Sequence, residues 1–203
     1  MEAVDRRKEW SVRPATFDDV ERTVEMFNAR SQVFHNQNQS TVDEIAGWWR
    51  SPRFDLATDT RIVLDDRGRM MGWAHVWDPG EPYVSPGCGV VVHPEIEDDD
   101  GLWDRLFSWA VGRAGEFIPL APRGARVAVS TGALDKDLAR RNAAERAGFR
   151  IVRVTNSMRI DLDADLQANE VEAGGFFGRI LEHRGEQHAR DRLHLSVRGA
   201  GCR

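Results

Sequence analysis

Between Glu95 and Asp104 the chain carries six carboxylates, Glu95, Glu97, Asp98, Asp99, Asp100 and Asp104, and this run leads into a helical pattern. Asp99 and Asp100 suit a helix start, where negative charge meets the positive end of the dipole. The chemistry-bearing groups nearby are few. His75 in a strand pattern, Glu81 in a loop and His93 at a strand end are candidates for taking a proton, and each is more often structural. Cys88 reads as a small core residue rather than a nucleophile. His183, His188 and His194 lack the H-E-x-x-H spacing and a companion cysteine pair, so no metal site is expected there.

The elements that must position these groups follow from periodicity. Residues 11–15 read as a short first strand. Thr16 with Asp19, and Thr41 with Glu44, form capping boxes. Val20, Val24 and Phe27 share one helical face, and the polar stretch 28–39 reads as a loop. Val42, Ile45, Trp48 and Trp49 lie on one side of a short helix that Pro52 ends. One of the adjacent Trp48 and Trp49 is free to line a cleft or a subunit contact. Strands at 61–64 and 70–77 flank a hairpin connection holding Gly68. In the second of them Met71, Trp73, His75 and Trp77 share one face, with Met70, Ala74 and Val76 on the other. A third extended run, 87–92, stops at His93-Pro94.

A helix over 101–114 puts Leu102, Leu106, Ala110 and Ala114 in register. Val127 and Val129 mark a fifth strand. A helix over 135–147 is closed by Gly148. Phe149 and Ile151, then Met158, Ile160 and Leu162, supply the last strands. The order is β-α-α-β-β-β-α-β-α-β-β, an α/β (α+β) class. Residues 1–10 read as a flexible lead, 11–164 as the domain, and 165–203 as a C-terminal extension outside the core.

A net charge of -5, from 28 basic and 33 acidic side chains, argues against a nucleic-acid binder. No apolar run is long enough to span a membrane, and no secretory signal is expected from the charged residues 1–9. Two cysteines, Cys88 and Cys202, make no disulfide framework, so a cytoplasmic setting is expected.

The element order, together with Gly68-Arg69-Met70-Met71-Gly72-Trp73-Ala74-His75-Val76, Val90-Val91-Val92-His93-Pro94, Gly101-Leu102-Trp103-x-x-Leu106-Phe107 and the closing Gly148-Phe149, resembles the GCN5-related N-acetyltransferase (GNAT) family over residues 11–162. Residues 52–76 and 154–163 further resemble the first half of tandem-GNAT, mycothiol synthase-like proteins. The resemblance implies a mixed, mostly antiparallel sheet splayed between strands 4 and 5 and flanked by about four helices. It also implies acetyl-CoA as co-substrate and a small-molecule or protein amine as acceptor. A homodimer stays open. Val91 and Val92 would meet the pantetheine arm through main-chain atoms, and Gly101, Leu102 and Trp103 the pyrophosphate at the helix start. Ser130 and Thr131 end the fifth strand, where the thioester would lie.

Two departures bear on activity. Asp98 stands where the family loop opens on Arg or Gln, and Trp103 where it closes on a small residue. Each carboxylate near a pyrophosphate costs roughly 1 kcal/mol at about 4 Å in bulk water, unless a divalent cation bridges the two. The helix position of the family's usual tyrosine acid is Ala144, and the one tyrosine, Tyr83, lies in a loop. An N-acetyltransferase is therefore expected, with a catalytically silent GNAT-fold domain as the alternative. The general acid, the general base and the acceptor are unassigned.

Overall fold

The computed structural model describes residues 10–78, 80–158 and 171–181. Seven strands form one sheet in the order β1-β2-β3-β4-β5-β7-β6. These are β1 (Ser11–Arg13), β2 (Thr60–Leu64), β3 (Met70–Trp77), β4 (Gly87–Val92), β5 (Val127–Leu134), β6 (Arg150–Met158) and β7 (Val171–Leu181). Five α-helices interrupt them: α1 (Val20–His35), α2 (Val42–Trp49), α3 (Leu56–Asp59), α4 (Asp100–Gly115) and α5 (Leu138–Arg146). All neighbouring strands are antiparallel except β4 and β5.

Two cores cover the sheet. On one, α4 lays Leu102, Trp103, Leu106, Phe107, Ala110 and Ala114 against Val90 and Val92 of β4 and Ala74 and Val76 of β3. Full burial of one large apolar side chain contributes roughly 1.5–3 kcal/mol, so this stripe holds α4 in place. The other core gathers Met26, Ile45, Trp49, Phe54, Ile62 and Trp73 beneath α1 and α2. Trp49 stacks on Trp73 at 5.5 Å between ring centroids, while Trp48 stays half-buried against Phe54 and His75.

Local signals place most element ends. Thr41 and Glu44 form the expected reciprocal cap of α2. Thr16 and Asp19 bond to each other as expected, but they open a 3-10 turn, Phe17–Asp19, that precedes α1. Gly68, at φ 74, makes the β2–β3 hairpin.

Three expectations are corrected. The helix α1 runs on to His35 through a stretch whose polar character suggested a loop. Asn28 spends its amide on the connection at Gln39 and Ser40, and Asn36 ends the helix in the left-handed conformation at φ 52. Polarity there marks an outward helix face rather than irregular chain. In β3, Leu64 pairs with Met70 but Val63 with Gly72, so Met71 is the extra residue of a bulge. The bulge breaks the two-residue alternation, and Met71 joins the core with Ala74 and Val76 while Met70 joins Trp73. The domain does not end at residue 164, because β7 lies between β5 and β6 and pairs with both. Backbone pairing, which needs no apolar periodicity, places it there. Ile160 and Leu162, the leading segment 1–9, and the tail histidines with Cys202 fall outside the described residues.

Candidate functional site

The parallel strands β4 and β5 touch only briefly. Ser130 N–H donates to Pro86 O at 3.0 Å and Ala128 N–H to Val84 O at 2.9 Å, and Gly87 faces Ser130. Beyond that point no pairing joins them, and the two strands part toward their C-terminal ends. Main-chain groups on the open side of β4 follow from register. His93 N–H donates to Met71 O, so alternate residues, including Val91 opposite Trp73, point their N–H and C=O toward β3. Those of Val90 and Val92 point into the gap. Of the two residues the resemblance named, Val92 has this orientation and Val91 turns its main chain to β3.

At the mouth of the gap an open groove of about 470 Å³ is lined by Phe34, Glu97, Asp98, Lys136, Asn142 and Arg146, among others. The acidic run on its rim is largely neutralised. Glu95 pairs with Arg69 at 3.1 Å, Glu97 with Arg30 at 2.9 Å, and Asp100 and Asp104 with Arg146 at 2.7 and 2.9 Å. Asp99 accepts from Leu102 N–H at 2.9 Å and so caps α4 with its own carboxylate. Asp98 makes no side-chain bond among the described residues.

The helix start is thus partly taken by the chain itself. Leu102 is buried with its N–H on Asp99, and Trp103 N–H bonds Asp99 O at 3.2 Å. The Trp103 indole is fully buried, stacks on Phe107, and donates from Nε1 to Glu97 O at 2.9 Å. Gly101 is open: an added Cβ would meet only Asp99 Oδ1, at 3.5 Å.

Across the same mouth lies Arg30 of α1. It bonds both oxygens of Asp137, the N-cap of α5, and Glu97 after β4, and its guanidinium lies 5.0 Å from the Phe34 ring and 5.7 Å from that of Trp103. One side chain therefore ties the segments that follow the two splayed strands. Composition did not reveal it, although Arg30 continues the Val20, Val24, Phe27 stripe at helical spacing.

His75 sits over Gly89, its cross-strand neighbour, where an added Cβ would come within 2.2 Å of the imidazole. Trp73 Nε1–H donates to His75 Nδ1 at 2.9 Å. Indole nitrogen can only donate, so neutral His75 carries its proton on Nε2 and presents a donor. Burial first, then the positive charge of Arg140, hold its pKa down to about 3. His75 is therefore a neutral hydrogen-bond donor, not a base. His93 is likewise occupied, with Nδ1 accepting from Glu95 N–H at 3.2 Å. Burial pushes the Cys88 thiol up to about 12, so it stays protonated. Ala144 is fully buried in α5, and Tyr83 stacks on Phe117 away from the gap.

The His75 shift has a consequence for stability. Its folded pKa lies below the unfolded value of about 6.5, so the folded form disfavours the proton. That contribution is complete above pH about 6.5 and falls as pH drops toward 3, by about 2 kcal/mol at pH 5. Thermal unfolding between pH 7 and 5 should show this decline. His75→Gln, whose amide oxygen still accepts from Trp73, should flatten it. An unchanged slope would assign the decline to another group; Asp19, held at about 2, acts only below pH about 4.

No protein-family model and no curated protein matches the chain. Solved structures do. A GCN5-related N-acetyltransferase from Sphaerobacter thermophilus superposes with a TM-score of 0.69 at 22% identity, over 76% of this chain and 48% of that one. The chain has the GNAT fold. It spans about half the length of the Sphaerobacter protein. The protein yncA of Salmonella typhimurium, solved with acetyl-CoA, matches at 0.62 and 15% identity over 89% and 99% of the two chains. A phosphinothricin acetyltransferase from Sinorhizobium meliloti, solved with AcCoA, matches at 0.61 and 16% over 85% and 88%. Among the described residues of this GNAT fold, no helix is long and apolar enough to cross a membrane, and no group of three His, Cys, Asp or Glu is placed to hold a metal ion.

Proposed function

We propose that the chain is an acyl-CoA-dependent N-acetyltransferase acting on a small-molecule or protein amine. The observation that carries this reading is the parting of β4 and β5 beyond Gly87 and Ser130. Val90 and Val92 there offer main-chain groups that an extended pantetheine amide can pair with, as an added strand would. The phosphates would lie in the mouth groove against Lys136, with the start of α4 at Gly101 beside it. Two structural neighbours bear acetyl-CoA in their own structures.

The reaction needs little from the protein beyond alignment. The amine lone pair attacks the thioester carbonyl, an N–C bond forms, and the C–S bond breaks. The amine proton leaves through water and ends on the thiolate, a good leaving group. That route suits a gap in which His75 is a donor, Cys88 stays neutral and no tyrosine follows Arg140 on α5.

Titration calorimetry with acetyl-CoA tests the proposal. Saturable micromolar binding is expected; no binding up to about 1 mM, weaker than about -4 kcal/mol, would leave a silent GNAT-fold domain. Because Asp98 makes no side-chain bond among the described residues, Asp98→Asn should tighten acetyl-CoA about fivefold, equivalent to about 1 kcal/mol. An equal gain from Asp100→Asn, whose charge is already met by Arg146, would contradict that division. The resemblance to the first half of tandem-GNAT proteins stays a proposal, supported by coverage of 48% of the Sphaerobacter chain.

A further inference from the structure

Two buried polar groups beside the splay have no oxygen or nitrogen partner among the described residues. Arg140, on the inner face of α5 one turn before the buried Ala143 and Ala144, has its Nε shut off from solvent without a hydrogen bond. Thr131 of β5 is buried, and its hydroxyl has only the weakly bonding Cys88 thiol beside it. Cys88 and Thr131 lie where β4 and β5 begin to part, one residue beyond the Gly87–Ser130 pairing on each strand, and α5 packs its inner face on β5. The charge of Arg140 acts on Cys88 of β4 and His75 of β3.

Among the described residues no carboxylate bonds the Arg140 side chain, and the nearest charge, that of Asp137, is shared. Asp137 is committed to Arg30 through both oxygens and gives Arg140 only a cap on its main-chain N–H. Cys88 and His75 are neutral. A buried guanidinium nitrogen without a hydrogen-bond partner is costly, and a plain acetyl thioester brings it no charge. A carboxylate would satisfy the planar donor fork in the bound state itself.

We propose, resting on the acyl-CoA reading above, that the gap selects an acyl donor whose acyl chain ends in a carboxylate, with Arg140 and Thr131 binding that carboxylate. The group transferred to the amine would then be a carboxyacyl group. The N–C bond forms, the C–S bond breaks, and the amine proton ends on the CoA thiol, as for acetyl transfer.

Calorimetry on the full chain with coenzyme A, acetyl-CoA, malonyl-CoA and succinyl-CoA separates the possibilities. One or both carboxyacyl thioesters should bind at least about tenfold more tightly than acetyl-CoA, the size of a charge-assisted hydrogen bond. Arg140→Met should erase that preference while leaving acetyl-CoA binding in place, and Arg140→Lys should retain part of it. Equal affinities in the wild-type chain would overturn the inference and leave the acyl-CoA reading standing. A preference that survives in Arg140→Met would overturn the assignment to Arg140. Failure of all four compounds to bind would overturn both readings. Because the wild-type comparison decides by itself, the test does not depend on the variants folding.

Discussion

Arg30→Met is expected to cost about 3–5 kcal/mol of folding stability, read as a lower midpoint in urea unfolding. The substitution keeps most of the side-chain volume, so packing is not the main loss. What is lost is the countercharge to Asp137, which is 4% exposed and sits at the start of α5. A buried carboxylate without its partner is destabilising far beyond the worth of a surface pair. The companion variant Asp137→Asn removes the stranded charge while keeping a side-chain oxygen to cap Arg140 N–H. The double variant should therefore recover most of the loss, and the two single losses should not add. A cost under about 1 kcal/mol for Arg30→Met would mean that the pair is hydrated in solution and behaves as a surface bridge. The same variants address the site, because Arg30 ties the ends of the splayed strands. Freed of that tie, the mouth should bind acetyl-CoA with a changed affinity, which separates a structural strap from a bystander.

Trp103→Ala is the second large effect, about 3–5 kcal/mol. The indole is fully buried, stacks on Phe107 at 6.3 Å between centroids, and holds Glu97 O through Nε1. Removing it leaves a cavity under the first turn of α4 and an unpaired carbonyl beside it. Trp103→Phe should cost less, since the ring volume is partly kept and the lost bond is one neutral hydrogen bond of about 1 kcal/mol. Arg30 also lies over this ring, so the Arg30 and Trp103 losses should couple by about 0.5–1 kcal/mol in a double-mutant cycle. Strict additivity would show that the cation gains nothing from the ring. Thermal or urea unfolding of the four proteins provides the check.

These two residues mark where sequence reading stopped. Trp103 was legible as a departure in a glycine loop, and repulsion by the surrounding acids was the expected consequence. Packing changes that expectation: Arg69, Arg30 and Arg146 reach the loop from β3's hairpin, α1 and α5 and meet four of its six carboxylates. Those arginines are 26 to 67 residues away in sequence from the acids they meet. No local pattern carries such pairings. Arg140 was equally silent, because an arginine on an alanine-rich helix reads as solvent-facing until the sheet beneath it is seen to part.

What the sequence determined by itself was whatever depends on near neighbours along the chain. The capping box of Thr41 and Glu44, the hairpin at Gly68, the apolar stripe of α4 and the close of α5 at Gly148-Phe149 are all of this kind, and together they made the fold order recognisable. The tertiary structure decided what depends on register and long-range pairing. It moved Met71 across the sheet by a bulge, inserted β7 between β5 and β6, and ended the β4–β5 pairing at one residue on each strand. It also turned His75 from a candidate base into a donor by placing Trp73 Nε1 on its lone pair. The physical reason is the same throughout: periodicity encodes which face is apolar, whereas hydrogen-bond partners and buried charge pairs are set by which segments meet in space.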